Sequence, residues 1–177
     1  MKLILKPNVG EYAPYTIMYI DLLPDDGRIL SHLQSNLEST IKLIRSLPEG
    51  KLITRHAPGE WTIKEILVHI IDDERIYCYR ALRYARNDKT ELPGFEQDEY
   101  VPYSRANERD VEEIIEEFTS VRKATITFFN SLVDDAALNR RGIRSGNVMS
   151  VRAAAYHIAG HELHHINGIQ ENYLANA

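Results

Sequence analysis

Residues 157–177 read HIAGHELHHINGIQENYLANA. Within them His161-Glu162-Leu163-His164-His165 spells H-E-x-x-H, the helix signature of zinc proteases, and Gly168 and Glu171 extend it toward a longer protease pattern. A protease needs more than these letters. A third ligand must come from further along, and only twelve residues follow His165. Glu171 is a carboxylate where the longer form carries histidine, and no methionine follows it. Protease helices of this kind pack beneath a sheet, and no segment here has a clear strand pattern. The stretch therefore reads as one helix of a helical protein, with a histidine pair at i, i+4 that serves some other site.

The rest of the chain supports that fold. Apolar residues recur at helical spacing in three further segments. The first covers about 27–47, with Ile29, Leu30, Leu33, Leu37, Ile41 and Ile44 on one side, and Pro48-Glu49-Gly50 stops it. The second starts at Thr62-Ile63-Lys64-Glu65, a capping box, and runs to about residue 87. A loop with Pro93, Gly94 and Pro102 follows. The third starts near Asn107, the expected cap, and carries Val111, Ile114, Ile115, Phe118, Val121, Phe128 and Phe129. The fourth starts after Ser150 and contains the quoted stretch. Four amphipathic helices of roughly 20 residues make an all-α, four-helix bundle. The first ~25 residues are expected to be extended along its outside. With 177 residues and no linker-like composition, residues 1–177 form a single domain.

Composition narrows the function classes. The net charge of −5 argues against a nucleic-acid partner. No stretch approaches transmembrane length, and the N-terminal apolar run is too short for a signal peptide. The single cysteine, Cys78, excludes an intrachain disulfide, falls on an apolar stripe, and is expected to be a small core residue. A cytoplasmic location is expected. Arg140, Arg141, Arg144 and Arg152 gather around a turn and read as solvated.

Helical angles sort the histidines. With His161 at zero and about 100° per residue, Val151, Ile158 and Ile169 lie near +60° to +80°. His165 falls near +40°, at the edge of the buried stripe, while His157 and His164 fall near −40° and −60°, toward solvent. In the second helix His69 sits at the edge of a stripe made by Ile63, Ile66, Ile70, Tyr77 and Ala81, with Asp73 one turn on. Three imidazoles from two facing helices would leave open positions on a divalent ion, which suits catalysis more than structure. Zinc fits imidazole, with nickel and iron as alternatives. Asp73 is a candidate to orient His69 or a bound water, Glu162 points inward and is a candidate partner for a ligand, and Tyr77 could bring a hydroxyl near the site. Trp61 is expected to pack at the bundle end, where the second helix starts.

The stretches PGEWTIKEILVHIIDDERIYCYRAL (58–82) and SVRAAAYHIAGHELHHINGIQENYL (150–174) resemble the DinB-like family. A Trp-Thr helix start two turns before a histidine and a closing H-x-x-x-H carry the resemblance, which covers roughly 25–173. It implies up-down-down-up connectivity, a homodimer, and a divalent metal, zinc or nickel, on His69, His161 and His165. Family members with assigned reactions include low-molecular-weight-thiol transferases and a thiol-dependent isomerase, so the resemblance implies a metal-dependent enzyme with a low-molecular-weight thiol as one candidate small-molecule partner. An enzyme of hydrolase type, using a metal-bound hydroxide, is the other form the site allows. The alternatives are a metal-binding or stress-response module without turnover, and a purely structural dimerising bundle.

Overall fold

The computed structural model describes residues 1–175. In chain order its helices are α1 (Ile17–Ile20), α2 (Ile29–Arg45), α3 (Glu49–Leu52), α4 (Ile63–Ala85), α5 (Gln97–Ser104), α6 (Val111–Ser131), α7 (Asp135–Asn139) and α8 (Val151–Ile169). The four long ones, α2, α4, α6 and α8, form the bundle. Side-chain caps set the starts of three of them. Thr62 Oγ1 accepts from the Glu65 N–H at 3.1 Å, and Glu65 Oε2 accepts from the Thr62 N–H at 2.8 Å, which is the capping box. Ser150 Oγ accepts from the Ala153 N–H at 3.1 Å and opens α8. For α6 the cap is Asp110, not Asn107: its Oδ1 accepts from the Glu112 N–H at 2.7 Å. Asn107 is instead taken up by the α4 start, accepting from the Thr62 hydroxyl and donating to Glu65.

Between α7 and α8 the chain forms a hairpin, which the sequence pattern does not suggest. Strand β1 (Arg141–Arg144) pairs antiparallel with β2 (Asn147–Ser150) in the register Arg141 to Ser150. Ser145 and Gly146 both take positive φ, +46° and +75°, the geometry of a tight two-residue hairpin turn. The region 88–106, expected as loop, holds the short α5.

Helix α8 packs against α2 and α4, and α6 packs against the same two. Thr40 meets Glu162 and Asn36 meets Ala159, so position rises together along α2 and α8. Arg45 meets Glu112 and Leu33 meets Arg122, so α2 and α6 run in opposite senses. His69 meets His161 and His157 meets Asp73, which makes α4 and α8 antiparallel.

The core has two apolar clusters. One contains Leu33, Tyr77, Phe129 and Ile158, the other Leu37, Ile70, Phe118 and Ile166. Polar side chains fill the space between them. Arg122, with no exposed surface, binds Glu74 through Nε and Nη2, donates to the Leu33 carbonyl at 2.6 Å, and lies 2.9 Å from Glu162 Oε2. Thr40 donates to the other Glu162 oxygen at 2.8 Å. Burial opposes charge on Arg122, but Glu162 and Glu74 outweigh it and raise its pKa above the ordinary arginine value.

The N-terminal segment is only partly extended. Ile4 donates its N–H to the Gly27 carbonyl, and α1 then crosses α8 at Gly160. A Cβ on Gly160 would lie 2.2 Å from the Tyr19 carbonyl oxygen, so glycine there permits the crossing. Through it, Tyr19 is laid across the histidine-bearing face of α8.

Candidate metal centre

Nε2 of His161 lies 3.0 Å from Nε2 of His69 and 3.0 Å from Nε2 of His165. The ligand atoms of all three lie within 4.8 Å of one another. Helix α8 supplies two rings one turn apart, and α4 supplies the third from across the antiparallel interface. Burial lowers the pKa of His69, brings His161 down to about 3 and His165 to about 2, despite the neighbouring Asp73 carboxylate. Near neutral pH the three rings are therefore uncharged.

Asp73 is buried beside them. Its Oδ2 lies 3.4 Å from His161 Nδ1 and 3.2 Å from His157 Nε2. Burial disfavours the Asp73 carboxylate, but His161 and His157 outweigh this and lower its pKa. Asp73 thus engages His161 and His157, rather than His69. With a proton on Nδ1 of His161 facing the carboxylate, the Nε2 lone pair points to the other two rings.

The helical angle places His157 toward solvent, yet it is only 2% exposed. Two contacts account for the difference. Tyr19 of α1 covers that face, its ring edge-on to His157, His161 and His164 at 5.1–5.3 Å between centroids. Tyr77 stacks on the His157 ring at 3.6 Å with 8° between planes. The angular argument assumes one apolar face per helix, whereas α8 is covered on a further side by α1. The sequence does hold a hint. His157, His161 and His165 are spaced four apart and so lie on one continuous ridge, and Gly160 interrupts a helix for which alanine would be the better former.

The remaining candidates separate. Tyr77 is buried, and desolvation, with Asp73 adding, raises its pKa. It acts on the site through its ring. Glu162 faces the bundle axis, as expected, but its carboxylate is bound to Thr40 and Arg122 and makes no hydrogen bond to the three imidazoles. Burial is the main cause of its raised pKa, against the pull of Arg122. Arg152 pairs with Glu11, Arg144 reaches the Tyr15 hydroxyl, Arg140 donates to the Ala85 carbonyl, and Arg141 makes longer contacts with the Gly10 carbonyl and Glu11, so all four clustered arginines have partners. Cys78 is half-buried, a partial core position.

His165 also borders a cleft of about 970 Å³, whose walls include Met18, Leu22, Trp61, Asp98, His164 and Tyr173. The Trp61 ring lies 4.9 Å from that of His69, so this tryptophan does more than close the bundle end: it lines the cleft and packs beside the imidazoles. The set fits a divalent ion: three neutral imidazole nitrogens converge, a buried carboxylate backs one of them, and a cleft adjoins.

The family model of the DinB superfamily matches residues 32–169. The chain belongs to the DinB superfamily. The match includes α4 and α8 with all three converging histidines. No curated protein matches the sequence. Among solved structures, this DinB-superfamily chain is similar to YfiT from Bacillus subtilis, described as a probable metal-dependent hydrolase with an unusual four-helix bundle topology. The two share 15% identity, with a TM-score of 0.68, over 94% of this chain and 90% of that one. At that identity the likeness concerns the fold. Among the described residues no helix is long and apolar enough to cross a membrane.

Proposed function

We propose that the chain is a metal-dependent enzyme of hydrolase or thiol-transferase type, with zinc or nickel held by His69, His161 and His165. The observation that carries this is the approach of three uncharged imidazoles, with His161 Nε2 at 3.0 Å from both partners. Such an ion supplies Lewis-acid chemistry, acidifying water or a thiol. The chain's own residues do the rest. Asp73 holds the His161 ring by its outer nitrogen. His157, stacked on Tyr77, holds Asp73. Tyr19 and Trp61 shield the imidazoles on two sides. His164, beside His165 on the cleft wall, is placed to exchange a proton with a molecule bound there. The description of YfiT as a probable metal-dependent hydrolase supports the hydrolase version, and a low-molecular-weight thiol is the co-substrate of the other.

We also propose up-down-down-up order for the bundle. The parallel pairing of α2 with α8 and the antiparallel pairings of α2 with α6 and of α4 with α8 support it.

Metal analysis after chelation and reloading tests the site. The expected result is one ion per chain in the wild type, none in His161→Ala, and wild-type content in His32→Ala, whose ring is bound to Asp26 away from the three imidazoles. Stoichiometric metal in a folded His161→Ala protein overturns the assignment.

A further inference from the structure

The cleft beside His165 has a charge pattern that the proposed chemistry leaves unexplained. Three carboxylates, Glu60, Asp98 and Glu171, stand on its walls, and no lysine or arginine does. Among the described residues none of these three side chains forms a salt bridge or hydrogen bond. The nearby Arg55 is already engaged by Glu65 and by the Glu60 carbonyl oxygen. Asp98 lines the same cleft as His165, so the acidic lining adjoins the imidazole cluster. The rest of the lining combines apolar and aromatic side chains, among them Met18, Leu22, Trp61 and Tyr173, with three histidines and two asparagines. Met18 and Leu22 come from α1 and the residues just after it, placed over the cleft by the crossing at Gly160.

A cleft of this composition selects by charge. An anionic group entering it meets three unpaired carboxylates and no lysine or arginine. A cationic group meets those carboxylates and the face of an indole, on which ammonium groups bind favourably. We propose that the cleft receives a molecule with an ammonium group joined to an apolar body. The ammonium is held by Asp98 and Glu171, and the apolar part lies against Trp61 and Leu22. This deepens the enzymatic proposal by naming its substrate class, and it rests on that proposal for the reacting end of the molecule. It does not rest on it for the recognition.

Trp61 is the sole tryptophan, so intrinsic fluorescence reports on the cleft. The probes are phenethylamine and 3-phenylpropanoate, alike in body and opposite in charge. They are titrated against metal-free and zinc-loaded protein at low salt. Phenethylamine is expected to change Trp61 emission and to bind at least ~10-fold more tightly than the carboxylate, the order of two charge contacts in water. The gap should narrow at roughly 0.5 M salt, where the screening length falls to a few ångströms. In Asp98→Asn/Glu171→Gln, both exposed positions, the gap should close while helicity by circular dichroism is unchanged. Equal binding of the two probes, tighter binding of the carboxylate, or no binding of either overturns the inference. Metal stoichiometry is measured on the same samples. A protein that takes up no metal yet still prefers the amine leaves the cleft assignment standing while the enzymatic proposal falls. A zinc-loaded protein indifferent to charge does the opposite.

Discussion

Asp73 places its Oδ2 3.4 Å from Nδ1 of His161, on the side of the ring away from His69 and His165. The carboxylate is buried, so its contact with the ring is little weakened by solvent. It therefore fixes which nitrogen of His161 carries the proton, and so whether three lone pairs can converge. Asp73→Asn keeps the shape and removes the charge. An amide can offer its N–H to Nδ1 and turn the tautomer the wrong way. Metal affinity in Asp73→Asn is expected to fall by about 10–100-fold, measured by competition with a chromogenic chelator. Asp72→Asn, one residue away and half-buried, should leave it unchanged. Equal losses in the two variants would show that Asp73 contributes bulk charge rather than orientation.

A second prediction concerns Gly160. A Cβ there meets the Tyr19 backbone at 2.2 Å, and backbone cannot swing aside as a side chain can. Gly160→Ala should cost about 1–3 kcal/mol in urea unfolding despite the better helix propensity of alanine. Gly168→Ala is the control. Its Cβ would have nothing nearer than 4.0 Å, so the same change on the same helix should be neutral or stabilising. If Gly160→Ala were also stabilising, the crossing of α1 over α8 would not be as described.

The buried guanidinium of Arg122 supports the third. It is shared by Glu74 and Glu162 between the two apolar clusters. Removing it in Arg122→Met leaves two carboxylates close together without a counter-charge. The expected cost is about 3–5 kcal/mol at neutral pH, read from denaturant midpoints. Arg122→Met/Glu74→Gln/Glu162→Gln should recover a large part of that loss, because no unpaired charge remains. Failure of the triple variant to recover would mean that Arg122 stabilises through its hydrogen bond to Leu33 instead.

The sequence shows much of this arrangement and hides a definite part of it. The long helices are visible because each buries one continuous stripe, and apolar residues rarely recur at helical spacing unless a helix buries them. The meeting of His69 with His161 and His165 is legible for the same reason: ring directions follow from helix angles once two helices face each other. The hairpin is hidden because its four-residue strands are too short for alternation to rise above chance, leaving only Ser145-Gly146 as a signal. His157 is misplaced because burial on its side is supplied by α1, far away in sequence, and no property of α8 alone reports a covering element. Glu162 illustrates a different limit. Its inward direction follows from its angle, but direction cannot say whether a buried carboxylate meets an imidazole or an arginine.

The last prediction follows from the low pKa values of the three imidazoles in the metal-free protein. In the unfolded chain each histidine titrates near its ordinary 6.5. In the folded chain burial holds His161 to about 3 and His165 to about 2, with His69 also lowered. Between these limits the unfolded state binds protons that the folded state refuses, so stability rises with pH there. The contribution is intact above pH 6.5 and is lost progressively as pH falls toward 3. The slope is at most about 1.4 kcal/mol per pH unit for each group. Urea midpoints of chelated protein should therefore drop between about pH 7.5 and pH 5. The drop should be smaller in His165→Phe, which keeps the ring volume and cannot be protonated. A flat profile across that range would mean that the rings take up protons in the folded state. That would remove the neutrality on which three converging nitrogen lone pairs depend.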